Sequence, residues 1–438
     1  MSFSKDSLEM DFFEKGNLMK HKLSLTALIF LLALATFWLA SANADALNVE
    51  TMVQDNCHFG LELYRKLGAA ESGNIFLSPF SVSNSLAIVY AGARGSTKDQ
   101  MARTLKFSTN RDEVVQAFGT INSSLNQLKT LGNIRMDTAN SIWPQKGYDI
   151  APKFLELVQR SYGEAIIPID YEKNPEEALQ TINQWIAQKT RETIKEMIPQ
   201  GSLDKATRLV IASAIHFKGD WRRSFNLEMT KDMDFFLASD KSVRTPMMTQ
   251  ISEFKYAETE SLQILEMPYV GNELSMLVVL PREINGVKAV EDFLSGENLK
   301  KLQRKMSPTK VLIHIPKFKI NSTFFLAETL TSMGMKDAFI KAKANFSGIA
   351  ENKDNPLYLS TVIHKAFAEI TEEGTEASAA TVGEMVSMGI LPTDPPEPLH
   401  KFRADHPFMF LIQENKTGSL LFIGRVIDPA FGRVANGG

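Results

Sequence analysis

Glu372-Glu-Gly-Thr-Glu-Ala-Ser-Ala-Ala-Thr381 opens a stretch that runs to Leu399 without a recognisable apolar core pattern. Loops of this length are uncommon inside compact domains, and they are usually functional or disordered. Between Thr371 and Leu391 there is no proline, so every backbone N–H of that segment could join a β-ladder. The sequence therefore predicts a loop at about 372–399 that can also adopt a strand.

The first half of this loop alternates between two faces when it is drawn as a strand. One face would carry small side chains that can be buried beneath helices, namely Thr375, Ala377, Ala379, Thr381 and Gly383. The other face would carry Glu376, Ser378, Ala380, Val382 and Glu384. Its two carboxylates can meet water. A loop of this kind, held outside a sheet that it can enter, stores free energy.

Apolar segments flank the loop on both sides. Residues 357–370 are rich in aliphatic side chains and are typical of a strand or buried extended chain. Residues 407–412 and 419–424 are two apolar runs joined by a turn, which predicts a hairpin. Elsewhere, helical periodicity predicts helices that include 288–305 and 323–333. The loop is thus expected to connect strands of one globular body.

The run His364–Thr381 closely resembles the hinge of the serpin family, and the resemblance extends from about Phe59 to Phe431. Further blocks match the family in order and spacing, among them Asn74–Ser83, Ile215–Trp221, Met267–Tyr269, Ile315–Phe318, Ala344–Gly348, Asp405–Phe408 and Phe422–Arg425. The resemblance implies a mixed α+β fold, with about nine helices around three β-sheets and an exposed reactive-centre loop. It also implies a single domain and a monomer.

The resemblance further implies a suicide-substrate inhibitor of serine proteases. A protease would attack the loop and form an acyl-enzyme. The freed upstream segment would then enter the central sheet and trap the protease in a covalent complex. This hinge would comprise Glu372, Glu373, Gly374, Thr375, Glu376, Ala377, Ser378, Ala379, Ala380 and Thr381.

Family spacing places the reactive bond between Met388 and Gly389, although cleavage after Met385, Ser387 or Leu391 remains open. Methionine fits an apolar primary pocket, and no lysine or arginine lies in the loop. A chymotrypsin-like or elastase-like protease is therefore the favoured partner.

His364 is implied by the resemblance to hydrogen-bond where the central sheet opens, in a region that includes Ser81 and Ser213. The asparagine that usually partners this histidine is absent, and Ser213 stands in its place. Serine is shorter, but it can still donate or accept one hydrogen bond.

A non-inhibitory member that carries a small ligand or acts as a chaperone is the main alternative, and a storage protein is a third. Carriers often have bulky, charged or proline residues in the hinge, whereas here only Ser378 departs slightly from the small pattern. The hinge therefore favours inhibition. No sequence motif of an enzyme, metal site or cofactor site occurs, and Cys57 is the single cysteine, so C-x-x-C is impossible.

Composition indicates an ordinary globular protein, with 438 residues, 44% hydrophobic and 23% charged, and a net charge of −3. Near-neutral charge gives no reason to expect nucleic-acid binding. One basic cluster, Lys300, Lys301, Arg304 and Lys305, is more typical of a solvated helix face than of a polyanion site. A polyanion partner is therefore possible but not favoured.

Residues 1–44 are expected to be a signal peptide with an N-terminal extension, and Met19 is an alternative start. Lys20–Lys22 precede an apolar run, and Ala42-Asn43-Ala44 follows it with the small residues of a cleavage site. A signal anchor is the alternative. We expect a secreted domain at 45–438, free of the membrane after cleavage. Asn122 and Asn321 are the better glycosylation candidates.

Overall fold

The computed structural model describes residues 49–130, 134–162, 166–352, 354–374 and 399–430. The chain separates into two units, Met1–Thr51 and Met52–Gly438. The expected signal peptide, the hinge from Thr375 to Thr381 and the Met388–Gly389 bond lie outside the described residues. No helix within the described ranges is both long enough and apolar enough to cross a membrane.

Nine α-helices lie in the described part of the chain. They are α1 at 49–70, α2 Pro79–Gly92, α3 Gly95–Leu105, α4 Arg111–Thr130, α5 Pro152–Tyr162, α6 Pro175–Lys189, α7 Val287–Phe293, α8 Gly296–Lys305 and α9 Ala327–Ser332. Local capping explains several starts. The Ser78 hydroxyl accepts from the Ser81 N–H ahead of α2, and the Asn174 side chain accepts from the Glu177 N–H ahead of α6. Each of these two helices also has proline in its first turn.

Thirteen strands are described. They are β1 Ile75–Leu77, β2 Ile134–Pro144, β3 Leu209–Gly219, β4 Lys231–Ala238, β5 Lys241–Glu258, β6 Leu262–Pro268, β7 Leu274–Pro281, β8 Ser307–Pro316, β9 Phe318–Phe325, β10 Thr361–Ile370, β11 His400–Arg403, β12 Phe408–Glu414 and β13 Leu420–Val426. One sheet has the order β2-β3-β10-β9. The other has the order β1-β13-β12-β7-β6-β5-β8-β11, with β4 on β5. The predicted mixed α+β class is confirmed.

Hydrogen bonding joins the strands of the three expected sheets into two networks. The reason is β5, which is 18 residues long. Its first part pairs with β4, its middle pairs with β8, and its end at Lys255–Glu258 pairs with β6. One strand thus joins two layers that would otherwise count as separate sheets.

Two predicted helices differ from the structure. The helix expected at 288–305 is interrupted, because the Ser295 hydroxyl accepts from the Asn298 N–H and starts α8 anew. The start of the helix expected at 323–333 was wrong, since β9 continues to Phe325 with alternating burial and α9 begins at Ala327. The predicted hairpin after the loop is confirmed by β12 and β13.

The centre of the four-stranded sheet is a parallel pair. Residues Thr361–Ala368 of β10 lie in register with Val210–Phe217 of β3. The outer pairs, β2 with β3 and β10 with β9, are antiparallel. Helix α6 covers one face of this sheet with Ile182 and Ile186, and α2 contacts the other face. We call the parallel β3–β10 pair the seam; the loop leaves from its β10 strand.

Candidate functional site

A tight turn at 371–374 carries the chain out of β10. The backbones of Thr371 and Gly374 exchange two hydrogen bonds, with N···O distances of 3.3 and 3.2 Å. The Trp221 backbone N–H donates to the Glu373 carbonyl at 2.9 Å, and the Trp221 indole N–H donates to the Thr371 carbonyl at 3.0 Å. The Phe225 N–H donates to the Glu372 carbonyl at 2.7 Å. The beginning of the predicted hinge is therefore held by the segment that follows β3.

Glu372 carries the buried charge of this turn. It is 5% exposed, and its carboxylate lies 2.7 Å from Lys317 Nζ and accepts from Thr230 Oγ1 at 2.8 Å. Burial alone raises the pKa of the Glu372 carboxyl, but hydrogen bonds from Lys317 and Thr230 outweigh it, so the pKa lies below its ordinary value. A buried charge is tolerated when it is paired in this way. We call the turn 371–374 with Trp221, Phe225, Thr230 and Lys317 the hinge anchor.

Gly374 cannot be replaced without strain. Its φ is +104°, a conformation that side chains rarely adopt. A Cβ atom there would also lie 2.2 Å from the Gly219 carbonyl oxygen and 2.5 Å from the Asp220 Cα. The turn therefore needs glycine both for its backbone angle and for its close approach to the end of β3.

Next to the hinge anchor the seam opens. The last paired residues are Ala368 and Phe217. Beyond them lies a cavity of about 680 Å³ that Lys218, Glu369 and the turn residues help to line. The pairing between β3 and β10 therefore ends beside the hinge anchor.

His364 lies at the centre of a hydrogen-bond chain across the seam. The Ser78 N–H donates to His364 Nε2 at 2.9 Å, so the proton of the neutral ring is on Nδ1. Nδ1 lies 3.0 Å from the Ser213 carbonyl oxygen and 3.1 Å from its hydroxyl. The Ser213 hydroxyl donates to Ser81 Oγ at 3.0 Å, and the Ser81 hydroxyl donates to Asn140 Oδ1 at 2.8 Å. We call these five residues the seam network.

The seam network joins α2 and its N-cap Ser78 to β2, β3 and β10. His364 is fully buried, and this burial lowers its pKa to about 4. The low pKa agrees with a neutral ring that carries its single proton on Nδ1. A second ring proton, on Nε2, would point at the Ser78 N–H, which is itself a donor.

The structure brings Ser81, Ser213 and His364 together, as the resemblance implied; their role in sheet opening stays a prediction. Sequence reasoning missed Asn140. It lies opposite Ser213 in the β2–β3 register, and it supplies an amide to the network from the neighbouring strand. The sequence signal was weak, because β2 also carries polar residues at Arg135, Asp137, Thr138 and Ser141.

The glycosylation candidates differ in their surroundings. Asn321 is exposed on β9. Asn122 is half-buried within α4, and its Nδ2, the atom that would carry a glycan, donates to Asn84 Oδ1 at 3.0 Å. Glycosylation at either position stays a prediction, and Asn321 is the more accessible of the two.

Two sequence candidates remain, the basic cluster on α8 and the single cysteine. In the basic cluster on α8, Lys301 lies 4.0 Å from Glu297, in an exposed pair. Cys57 is a free thiol, and burial raises its pKa to about 11, which keeps it protonated. Within the described ranges, no group of three or more His, Cys, Asp or Glu residues could hold a metal ion.

Comparisons with known proteins agree with this geometry. A family model described as Serpin (serine protease inhibitor) matches residues 54–429. A leukocyte elastase inhibitor of Xenopus laevis is 39% identical over 379 residues, which cover 85% of this chain and 98% of that protein. An uncharacterized serpin-like protein of Methanosarcina acetivorans is 35% identical, covering 91% of this chain and 92% of that one. Uncleaved ovalbumin has a similar structure, with a TM-score of 0.75, 29% identity and coverage of 86% of this chain and 100% of that chain.

Proposed function

Since this chain belongs to the serpin family, and is therefore a protease inhibitor and not an enzyme, we propose that it traps serine proteases as a suicide substrate. The protease would cleave the Met388–Gly389 bond and remain bound as an acyl-enzyme. The upstream part of the loop would then enter the seam and carry the enzyme with it, giving a covalent complex of one protease with one monomer. The parallel pairing of β3 with β10 is the observation that carries this proposal.

Strand direction explains why insertion is favourable. A segment that folds back after the turn at 371–374 runs antiparallel to β10, as in any hairpin. Because β3 is parallel to β10, the same segment is antiparallel to β3 as well. Insertion would replace one parallel ladder with two antiparallel ladders, and antiparallel pairing is slightly more stable per residue. The sheet would gain a whole strand of backbone hydrogen bonds.

The predicted faces of the hinge fit this movement. If the register of the Thr371–Gly374 bridge continues, Thr375 would lie opposite Ile370, and Ala377 opposite Ala368. Ile370 and Ala368 are buried, at 2% and 0% exposure. The small side chains of the hinge would therefore enter the core face of the sheet without a steric barrier.

Tethering at both ends explains why cleavage is required. Upstream, the loop begins at the hinge anchor. Downstream, it ends at β11, where His400–Arg403 pair in parallel with Val311–His314 of β8. A cut between these two tethers frees the upstream part while the downstream part remains in its sheet. The uncut loop would have to insert as a closed loop, which restricts how far it can enter.

The target class rests on the loop and on the relatives. Met388 would present an apolar side chain to the protease, and the loop contains no lysine or arginine. The Xenopus relative is named for inhibition of leukocyte elastase. These observations support a chymotrypsin-like or elastase-like target. The signal peptide expected at 1–44 supports secretion of the mature chain. The exposed basic cluster on α8 is more typical of a solvated helix face, so the proposal includes no polyanion cofactor.

The test is to incubate the mature protein with chymotrypsin, elastase and trypsin. A complex that survives denaturing electrophoresis should form with chymotrypsin or elastase, and mass spectrometry should find a released fragment that starts at Gly389. Thr375→Arg should still be cleaved but should lose most of the complex, because a buried unpaired guanidinium carries a heavy desolvation cost. Ser378→Arg, on the predicted solvent face, is the matched control and should keep it. Clean cleavage with fully active protease and no complex would refute the proposal.

A further inference from the structure

Apolar side chains lie together on the outer face of three neighbouring strands, β5, β8 and β11. Ile251 of β5 lies opposite Leu312 of β8, and Leu312 lies opposite Lys401 of β11. Leu399 comes two residues before Lys401, so alternation along the strand places it on the same face. Ile251 is 54% exposed, Leu399 is 39% exposed and Leu312 is half-buried. We call Ile251, Leu312, Leu399 and Lys401 the outer patch.

The inner face of the same strands belongs to the core. Phe254 of β5, Ile313 of β8 and Phe402 of β11 are at most 5% exposed. A sheet that is buried on one side usually carries polar side chains on its other side. Ile251 and Leu399 depart from that pattern on neighbouring strands of one surface. Apolar residues that lie together at a surface, with polar residues around them, mark a site of protein interaction.

Charged residues border the outer patch, and most of them have an opposite charge beside them. Glu253 of β5 lies opposite Lys310 of β8, and Arg403 Nε lies 2.7 Å from the Asp405 carboxylate. Lys401 is exposed and forms no ion pair within the described part of the chain. A carboxylate on a partner surface would therefore meet an unpaired ammonium group here.

Both ends of the loop adjoin this surface. The side chain of Gln250, the neighbour of Ile251, donates to the Arg223 carbonyl at 3.2 Å. Two residues after Arg223, the Phe225 N–H binds the hinge anchor, where the loop begins. At the other end, Leu399 leads directly into β11. The outer patch is thus continuous with the segments that hold the loop.

A protease bound to the loop would be within reach of the outer patch. Ten residues separate the proposed reactive bond from Leu399, and ten residues span at most about 35 Å. A folded domain of about 200 residues is itself roughly 40 Å across. The outer patch therefore lies within the distance that the body of the bound enzyme can cover.

We propose that the outer patch contacts the body of the protease that is bound to the loop. The complementary surface of the protease is apolar, with a carboxylate opposite Lys401. The contact adds affinity to the first, noncovalent complex, before the reactive bond is cut. This proposal rests on the proposed inhibitory function, and it adds a determinant of target choice that lies outside the reactive bond.

The first complex is measured with chymotrypsin and elastase in which the catalytic serine is replaced by alanine, so that no cleavage follows. Ile251→Glu should raise the Kd about tenfold, because the contact loses apolar burial and gains a desolvated carboxylate. Lys401→Gln should raise the Kd about threefold and reduce the salt dependence of binding, because a charge at an interface rim acts mainly through long-range attraction. Ile340→Glu is the matched control and should bind like the parent. Ile340 is 41% exposed, in a segment that Ser96 of α3 binds through Asp337.

Active protease gives a second readout. The association rate constant should fall in Ile251→Glu by about the same factor as the affinity. The number of inhibitor molecules consumed per trapped protease should stay the same, because the outer patch takes no part in loop insertion. A variant that acted by damaging the fold or the seam would instead raise that number, and such a rise would overturn the docking contact.

Other results separate this proposal from the function on which it rests. Unchanged Kd values in both patch variants, while the parent still forms a covalent complex, would overturn the docking contact and leave the inhibitory function standing. Absence of a covalent complex with the parent would refute the inhibitory function itself and the docking contact with it. A dimer of the parent in light scattering that Ile251→Glu dissociates would assign the outer patch to a second copy of this chain.

Discussion

Acidification from pH 7.5 to pH 5 should destabilise the folded chain through His364. Its pKa in the fold is about 4 and its ordinary value is 6.5, so the unfolded chain takes up the proton first. A histidine with a lowered pKa stabilises the fold fully above pH 6.5, and this stabilisation is lost as the pH falls toward 4. The whole shift corresponds to about 3 kcal/mol. About 2 kcal/mol of the unfolding free energy should disappear by pH 5.

The seam network supplies the physical cause and a matched variant. Protonated His364 would direct a second N–H at the Ser78 N–H, and two donors cannot satisfy each other. His364→Gln offers a carbonyl oxygen toward Ser78 and an amide N–H toward Ser213, but it does not titrate. The variant should therefore keep most of the stability at pH 7.5 and lose the histidine-dependent part of the pH response.

Urea unfolding curves at pH 7.5, 6.5, 5.5 and 5.0 measure the effect in both proteins. This range stays above the ordinary carboxyl pKa values of about 4. His216 and His314 also have pKa values lowered by burial, but they are present in both proteins, so the difference between the two pH profiles isolates His364. Parallel profiles would refute the reasoning. So would a parent that gains stability relative to the variant as the pH falls.

Three further predictions follow from the geometry. Gly374→Ala should lower the thermal midpoint at a cost of about 1–3 kcal/mol from backbone strain, whereas Gly73→Ala, with no atom within 4 Å of the added Cβ, should have little effect; equal midpoints would contradict this. Protein cut after Met388 should melt at a higher temperature than intact protein, and an equal or lower midpoint would argue against insertion. Glu291→Gln should lower the free energy of unfolding in urea by about 3–5 kcal/mol, because it leaves the buried Arg425 without a charged partner. In the structure Arg425 Nη1 lies 2.8 Å from the Glu291 carboxylate. Lys301→Met, in the exposed pair with Glu297, should cost less than about 1 kcal/mol.

The loop and its flanking strands could be predicted because their signals are local. Alternating small residues, an absence of proline and apolar runs on either side all lie within one short stretch of chain. The hinge anchor could not be predicted in this way. Glu372 is bound by Thr230, which lies 142 positions earlier in the sequence. Nothing in the composition of either segment identifies the other as its partner.

Errors in the secondary structure have the same origin. Residues 323–325 fit both a helical and an alternating pattern when they are considered alone. Their place in β9 is decided by pairing, since Phe325 lies opposite Ile363 of β10 and Phe324 lies opposite His364. The neighbouring strand is a distant segment that local periodicity does not include. Pairing also explains why two networks are found where three sheets were expected. The length of β5 does not reveal that its successive parts pair with three different strands, β4, β8 and β6.

The seam network shows what a family resemblance transfers and what it does not. The resemblance implied that His364 forms hydrogen bonds where the central sheet opens, and it drew attention to the loss of an asparagine at Ser213; in the structure His364 is buried in the seam network. In the structure the chain of donors ends on Asn140, directly across the β2–β3 register. A serine relay followed by an amide acceptor thus stands where the resemblance implied a single asparagine. What has to be retained at this seam is the balance of donors and acceptors around a neutral histidine. That balance can be met by residues on a different strand, so the residue type at one aligned position is a weaker guide than the whole network.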